Sequence, residues 1–190
     1  MKRFWTMIKS RFPGKELGRD ERGLAAIELA LTLPFLVLLF FGVVDLSQAI
    51  SANKKITQAT NTMADLITQA AGKVTKAEID GVFNAARPIL DPFPHEDFGI
   101  TIIALKPSGS GNTPEVRWIY NNGGMTCTTG DYKQKAKPLM SNGNDVIFAV
   151  GCIKVPSLVT AFFSRGELNL HSTVYLRPRQ SDELTCEGCS

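Results

Sequence analysis

The chain has 190 residues, 44% of them hydrophobic and 21% charged, which leaves room for one membrane helix and one modest globular domain. Its net charge of +3 comes from the front: before Leu24, Lys2, Arg3, Lys9, Arg11, Lys15, Arg19 and Arg22 stand against Glu16, Asp20 and Glu21, and everything after is one unit negative. That distribution argues against a nucleic-acid binder, because the basic stretch has few aromatics (Phe4, Trp5, Phe12) and a basic flank on an apolar helix already has a topological explanation.

Residues 1–23 read as a basic, cytoplasmic leader, with Pro13-Gly14 inside it and nothing from which to build a core. Leu24 to Val44 is almost wholly apolar, long enough to cross a hydrocarbon layer of about 30 Å at about 1.5 Å per residue. The expected transmembrane helix is 24–45, with Asp45 at its outer boundary. Inside it stands one acid, Glu28. A carboxylate there costs about 2.5–3.5 kcal/mol on insertion scales and marks a functional position. Glu28 is the fifth residue after Gly23. A cut between Gly23 and Leu24 creates an amino terminus one helical turn from the acid, and so a cationic partner at the same depth. Glycine suits the position before a cut, since it lets the backbone enter a narrow protease site. Pro34 is expected to kink the helix, because it removes a rung and crowds the preceding turn.

Past Asp45, Ile56, Ala59, Met63, Leu66, Ile67 and Ala70 recur at helical spacing, with Asn53, Lys54, Gln58, Asn61 and Asp65 between them. The helix therefore continues as an amphipathic stem over 46–71 and stops near Ala71-Gly72. Thr75-Lys76-Ala77-Glu78 is a capping-box pattern opening a second helix, with Ile79, Val82, Phe83 and Ala86 on one face and Pro88 at its end. Asp91-Pro92-Phe93-Pro94 is rigid loop.

Strands are expected over Phe98–Lys106, around Val116, Trp118 and Tyr120, over Asp145–Val155, and over Leu168–Leu176. The third is apolar on both faces and so central; the fourth alternates and so is half-buried. The loop Gly109-Ser110-Gly111-Asn112 makes the first two a hairpin. Ser157 to Phe163 reads as a short helix or apolar loop, its large side chains packed in a core more readily than exposed. The fold class is α+β: a long N-terminal transmembrane helix continuing as a stem, packed on a small antiparallel sheet of about four strands. The globular part is a periplasmic domain over 72–180, followed by a cysteine-containing tail, 181–190, mobile unless its cysteines fix it.

Cys127, Cys152, Cys186 and Cys189 all lie on the translocated side, which suits disulfides in an oxidising compartment such as a bacterial periplasm. Four cysteines allow three connectivities, which sequence leaves open. The pairing expected is Cys127–Cys152, tying a long loop to a strand, and Cys186–Cys189, closing a small ring.

The order of a basic leader, Gly23, small apolar residues, Glu28, a Leu-rich run with Pro34 and an Asn/Gln/Thr-rich stem resembles type IV prepilin-like proteins. More closely, it resembles the TadE/TadG-like pilus assembly proteins of the bacterial tight-adherence (Flp pilus) system. Met63-Ala64-Asp65-Leu66-Ile67-Thr68-Gln69 is similar to that family's stem and Tyr175-Leu176-Arg177-Pro178-Arg179 to its end. The likeness is close from Arg22 to Gln69 and looser beyond. It implies a non-enzymatic, pilin-like minor pilin or pseudopilin, cut after Gly23 by a prepilin peptidase. It also implies a single-pass place in the bacterial inner membrane, contacts with other pilin subunits and the inner-membrane assembly machinery, and possible incorporation into the pilus. The bulk filament subunits of this system carry Glu-Tyr, whereas Leu29 follows Glu28 here. With the large domain, this argues for a role beside the major pilin.

Competing readings are an ordinary signal anchor that happens to hold a glutamate, a secretory signal cut near Ala49 or Ser51, an unprocessed membrane-tethered periplasmic binding module, and a tethered thiol–disulfide protein. The secretory signal is disfavoured by the length of the apolar run and the acid within it. Cys186-Glu187-Gly188-Cys189 lacks the following helix that activates a redox dithiol, and the wide spacing of Cys127 and Cys152 does not suit a four-cysteine zinc site. His95 and His171 stand without a nucleophile–acid arrangement, and surface roles are expected for both. Arg177 and Arg179 are expected to be solvated. The glycines at Gly109 and Gly123-Gly124 lack the context of a phosphate cradle. No cofactor, metal or nucleic acid is expected.

Overall fold

A computed structural model of the chain describes residues 22–109, 113–140, 143–157 and 167–189, the side chains of Arg22 and His95 excepted. The leader before Arg22, the hairpin tip 110–112 and the apolar stretch 158–163 lie outside the described residues. The chain divides into two units, one ending at Val43 and one running from Val44 to Ser190.

In the first unit the described residues are helical. Helix α1, Arg22–Thr68, begins here and is continuous through Pro34. Its large side chains from Leu24 to Val43 are exposed in every direction, Leu24 at 69% and Phe35 at 76%. A helix apolar on all sides needs a surrounding that is not water. A window within Gly23–Thr68 is long and apolar enough to cross a membrane, with mean hydropathy 2.4.

The second unit is α+β. The rest of α1 buries Ala52, Ile56, Ala59, Thr60, Met63, Ala64, Ile67 and Thr68, a stripe at steps of three and four. Each large aliphatic side chain there contributes about 1.5–3 kcal/mol by leaving water. Leu66, expected on this stripe, is 42% exposed; its neighbours Ile67 and Ala64 take the core positions. The helix stops at Thr68, a few residues before the expected point, and Gly72 turns the chain at φ +84°. Strand β1, Lys73–Thr75, leads directly into helix α2, Lys76–Ala86. The capping box is present: Glu78 N–H donates to Thr75 Oγ1 at 3.2 Å and Thr75 N–H to Glu78 Oε2 at 2.7 Å. A 3-10 turn, Arg87–Leu90, carries Pro88 and closes the element.

Strands β2 (Phe98–Ser108), β3 (Thr113–Gly123), β4 (Val146–Pro156) and β5 (Glu167–Leu176) form an antiparallel sheet in the order β3-β2-β4-β5. Strand β4 is central and almost wholly buried, while β5 lies at an edge and alternates between exposed and half-buried residues. One face carries Ile100, Ile102, Trp118, Tyr120, Ile147, Ala149 and Ile153 and packs on α1 and α2. The other carries Ile103, Leu105, Phe148, Val150 and Cys152 beneath Ala136 and Met140. These last belong to helix α3, Tyr132–Ala136, and the 3-10 turn after it.

One feature departs from the sequence reading. Val116, Trp118 and Tyr120 do not share a face. Ala104 opposes Trp118 while Leu105 opposes Val116, so Arg117 is an extra residue in a β-bulge. Val116 therefore packs on the second core with Ile119, and Trp118 and Tyr120 on the first. The tail is folded. Strand β6, Thr185–Glu187, pairs in parallel with β1, and Leu184 is fully buried.

Candidate functional site in the N-terminal helix

Helix α1 presents Gly23, Leu24 and Glu28 within its first turns, all three exposed. A side chain added at Gly23 would meet nothing within 4 Å, so packing does not require glycine there. Leu24 and Glu28 are four residues apart, about 6 Å along the axis, on one helix face. Thr32 Oγ1 donates to the carbonyl oxygen of Glu28 at 3.0 Å, satisfying its own hydroxyl inside the apolar stretch. Among the described residues the Glu28 carboxylate has no hydrogen bond or ion pair. Pro34 lies six residues on, within the same exposed apolar surface.

This arrangement has no nucleophile and base and no set of metal ligands. From Leu24 to Val43 it is a helix whose surface requires a non-aqueous neighbour and whose one acid, Glu28, requires a cation. A family model described as TadE-like protein matches residues 23–65. The segment is TadE-like. The match opens on Gly23, contains Leu24, Glu28 and Pro34, and ends in the stem at Asp65. It is consistent with a TadE/TadG-like pilus assembly protein and suggests involvement in the Tad pilus system, whose TadE-like proteins are generally non-enzymatic and interact with other pilus components. No curated protein and no solved structure matches the chain.

The remaining sequence candidates fall in the second unit. The structure joins Cys127 to Cys152, with Cα atoms 5.5 Å apart, and Cys186 to Cys189; all four cysteines are in disulfides. The first bond ties the segment after β3 to the central strand, and the second closes the end of β6. Both arginines have partners within the chain, Arg179 while staying exposed as expected. Arg179 forms an ion pair with Asp65 of the TadE-like stem, and Arg177 donates to the carbonyl of Leu139. His171 is exposed on β5.

Two polar anchors escaped the sequence reading. Asp45, expected at a wet boundary, is only 7% exposed and accepts a hydrogen bond from Ser157 Oγ at 2.8 Å. Asp145, at the start of β4, is 1% exposed. Its Oδ2 lies 2.8 Å from Arg117 Nε, an electrostatic contact off the hydrogen-bond line, while Arg117 Nη2 donates to Oδ1 at 3.1 Å. The Leu184 N–H donates to the same carboxylate at 2.9 Å, and Trp118 Nε1 donates to the Leu184 carbonyl at 2.8 Å. This knot holds the tail to the bulge. An acid next to an apolar run hints at such an anchor, but its partner 39 residues away leaves no local pattern.

Proposed function

We propose that this chain is a non-enzymatic, prepilin-like subunit that acts in assembly of a tight-adherence (Flp-type) pilus. A prepilin peptidase cuts it between Gly23 and Leu24. The chain crosses the bacterial inner membrane once, with its leader cytoplasmic and its disulfide-bonded domain periplasmic. Its partners are other pilin or pseudopilin subunits and the inner-membrane assembly machinery.

The observation that carries this reading is Glu28, a single exposed acid in an apolar TadE-like helix. It stands one turn from the residue that becomes the amino terminus on cleavage. The freed ammonium of Leu24, in the same or an adjacent subunit, neutralises the carboxylate in a low-dielectric setting, where the pair attracts far more strongly than in water. Loss of either partner leaves a buried ion uncompensated, a change of about 3–5 kcal/mol. The pair thereby sets the axial register of subunits that otherwise associate through non-directional helix packing. Glu28→Ala should insert and fold normally yet lose pilus assembly, read by shear release and electron microscopy of piliated cells. Normal pilus numbers in that variant would refute the register role.

A further inference from the structure

On the sheet face opposite α1, strands β4 and β5 and the segment before α3 enclose an open groove of about 480 Å3, within the usual range of about 300–1,000 Å3 for ligand sites. Its floor is the ladder in which Lys154 faces Asn169 and Val150 faces Thr173. Its wall is the 125–132 segment, which Cys127–Cys152 fastens to the floor. Tyr132 and Tyr175 also line it, both packed on Phe148, with ring centroids 5.3 and 5.0 Å away. Lys135 stands above and belongs to no ion pair among the described residues. Lys154 is engaged only at 3.8 Å by the exposed Glu167.

We propose that this groove binds an anionic oligosaccharide, a short chain of uronate-type sugars. Threonine hydroxyls and the Asn169 amide can both donate and accept, which fits a ligand covered in hydroxyls. The two tyrosines offer half-buried ring surface for the C–H faces of a sugar, with a polar tip alongside. The charge selection comes from Lys135 and Lys154, which line the groove together with His171 against one acid, Asp131. The disulfide and the stacked rings fix the wall in advance, which lowers the ordering cost of binding. This site is separate from the α1 helix and does not depend on the filament role.

The test is calorimetric titration of the full chain in detergent micelles with three probes: trigalacturonate, neutral maltotriose and a hexaglutamate peptide. Saturable binding is expected for trigalacturonate alone. The Lys135→Ala, Lys154→Ala double variant should weaken it about tenfold or more, as expected for lost charged hydrogen bonds. The milder Thr173→Val should weaken it to a smaller degree with the fold untouched. Absence of saturable trigalacturonate binding, equal affinity for maltotriose, or equal or tighter binding of hexaglutamate would each overturn the proposal.

Discussion

Asp145 shows what one buried carboxylate does for the second unit. It holds the Arg117 guanidinium and the Leu184 amide at once, so a bulge residue, the start of the central strand and the tail meet at one charge. Asp145→Ala leaves Arg117 with only the exposed Glu183, 3.4 Å away, and strips the buried Leu184 amide of its acceptor, for which a loss of about 1–3 kcal/mol is expected. Urea unfolding followed by tryptophan fluorescence should report it, since the Trp118 indole bonds to the same tail residue. Tyr120 makes a second residue-level test. Its hydroxyl donates to Asp80 at 2.5 Å. Burial first, and that bond second, push its pKa well above the ordinary 10.0. A folded-state pKa above the unfolded one gives stability that is fully present below pH 10 and lost as pH rises toward the folded value. Tyr120→Phe should lower stability at neutral pH by about 1–2 kcal/mol and flatten the decline of stability above pH 10. An unchanged alkaline profile would assign that decline to other groups.

Between elements, α1 approaches β4 closely at Gly151. A Cβ there would lie 2.1 Å from Thr60 Oγ1 and 3.0 Å from Ile56 Cδ1. Gly151→Ala is therefore expected to destabilise the domain by about 1–3 kcal/mol through overpacking. Adding Thr60→Ala should recover part of that loss, and a double-mutant cycle showing no coupling would contradict the contact. The same elements show what the sequence can tell and what it cannot. The stem stripe, the capping box at Thr75 and Glu78, the central place of β4 and the half-buried alternation of β5 were readable because each follows from local periodicity or a short motif. The bulge at Arg117 was not, because alternation across Val116, Trp118 and Tyr120 looks unbroken until the pairing with β2 is known. The parallel pairing of β1 with β6 joins residues more than a hundred positions apart, and strands of three residues carry no pattern. The groove, whose wall includes the segment around α3, likewise depends on tertiary placement. In the N-terminal helix the case is reversed: Gly23, Leu24, Glu28 and Pro34 were legible at once, since an acid in an apolar run is conspicuous without any tertiary context.

For the molecule as a whole, the TadE-like helix and the disulfide-bonded domain are held to different requirements. The domain satisfies its polar groups internally, through Asp45, Asp145 and the Asp65–Arg179 ion pair. The helix leaves its apolar surface open and, among the described residues, its acid unpaired, which are features of a part completed by other molecules. Gly23→Arg should block processing and leave the longer chain in the membrane, while the domain keeps its disulfides; a mature-length product from that variant would remove Gly23 from the cut site. The most direct test of the electrostatic account is the intact mass of the wild-type protein extracted from membranes of piliated cells. The account predicts a chain that begins at Leu24, with all four cysteines oxidised. A mass that retains residues 1–23 in cells still building pili would contradict it, because Glu28 would then have no new ammonium to meet.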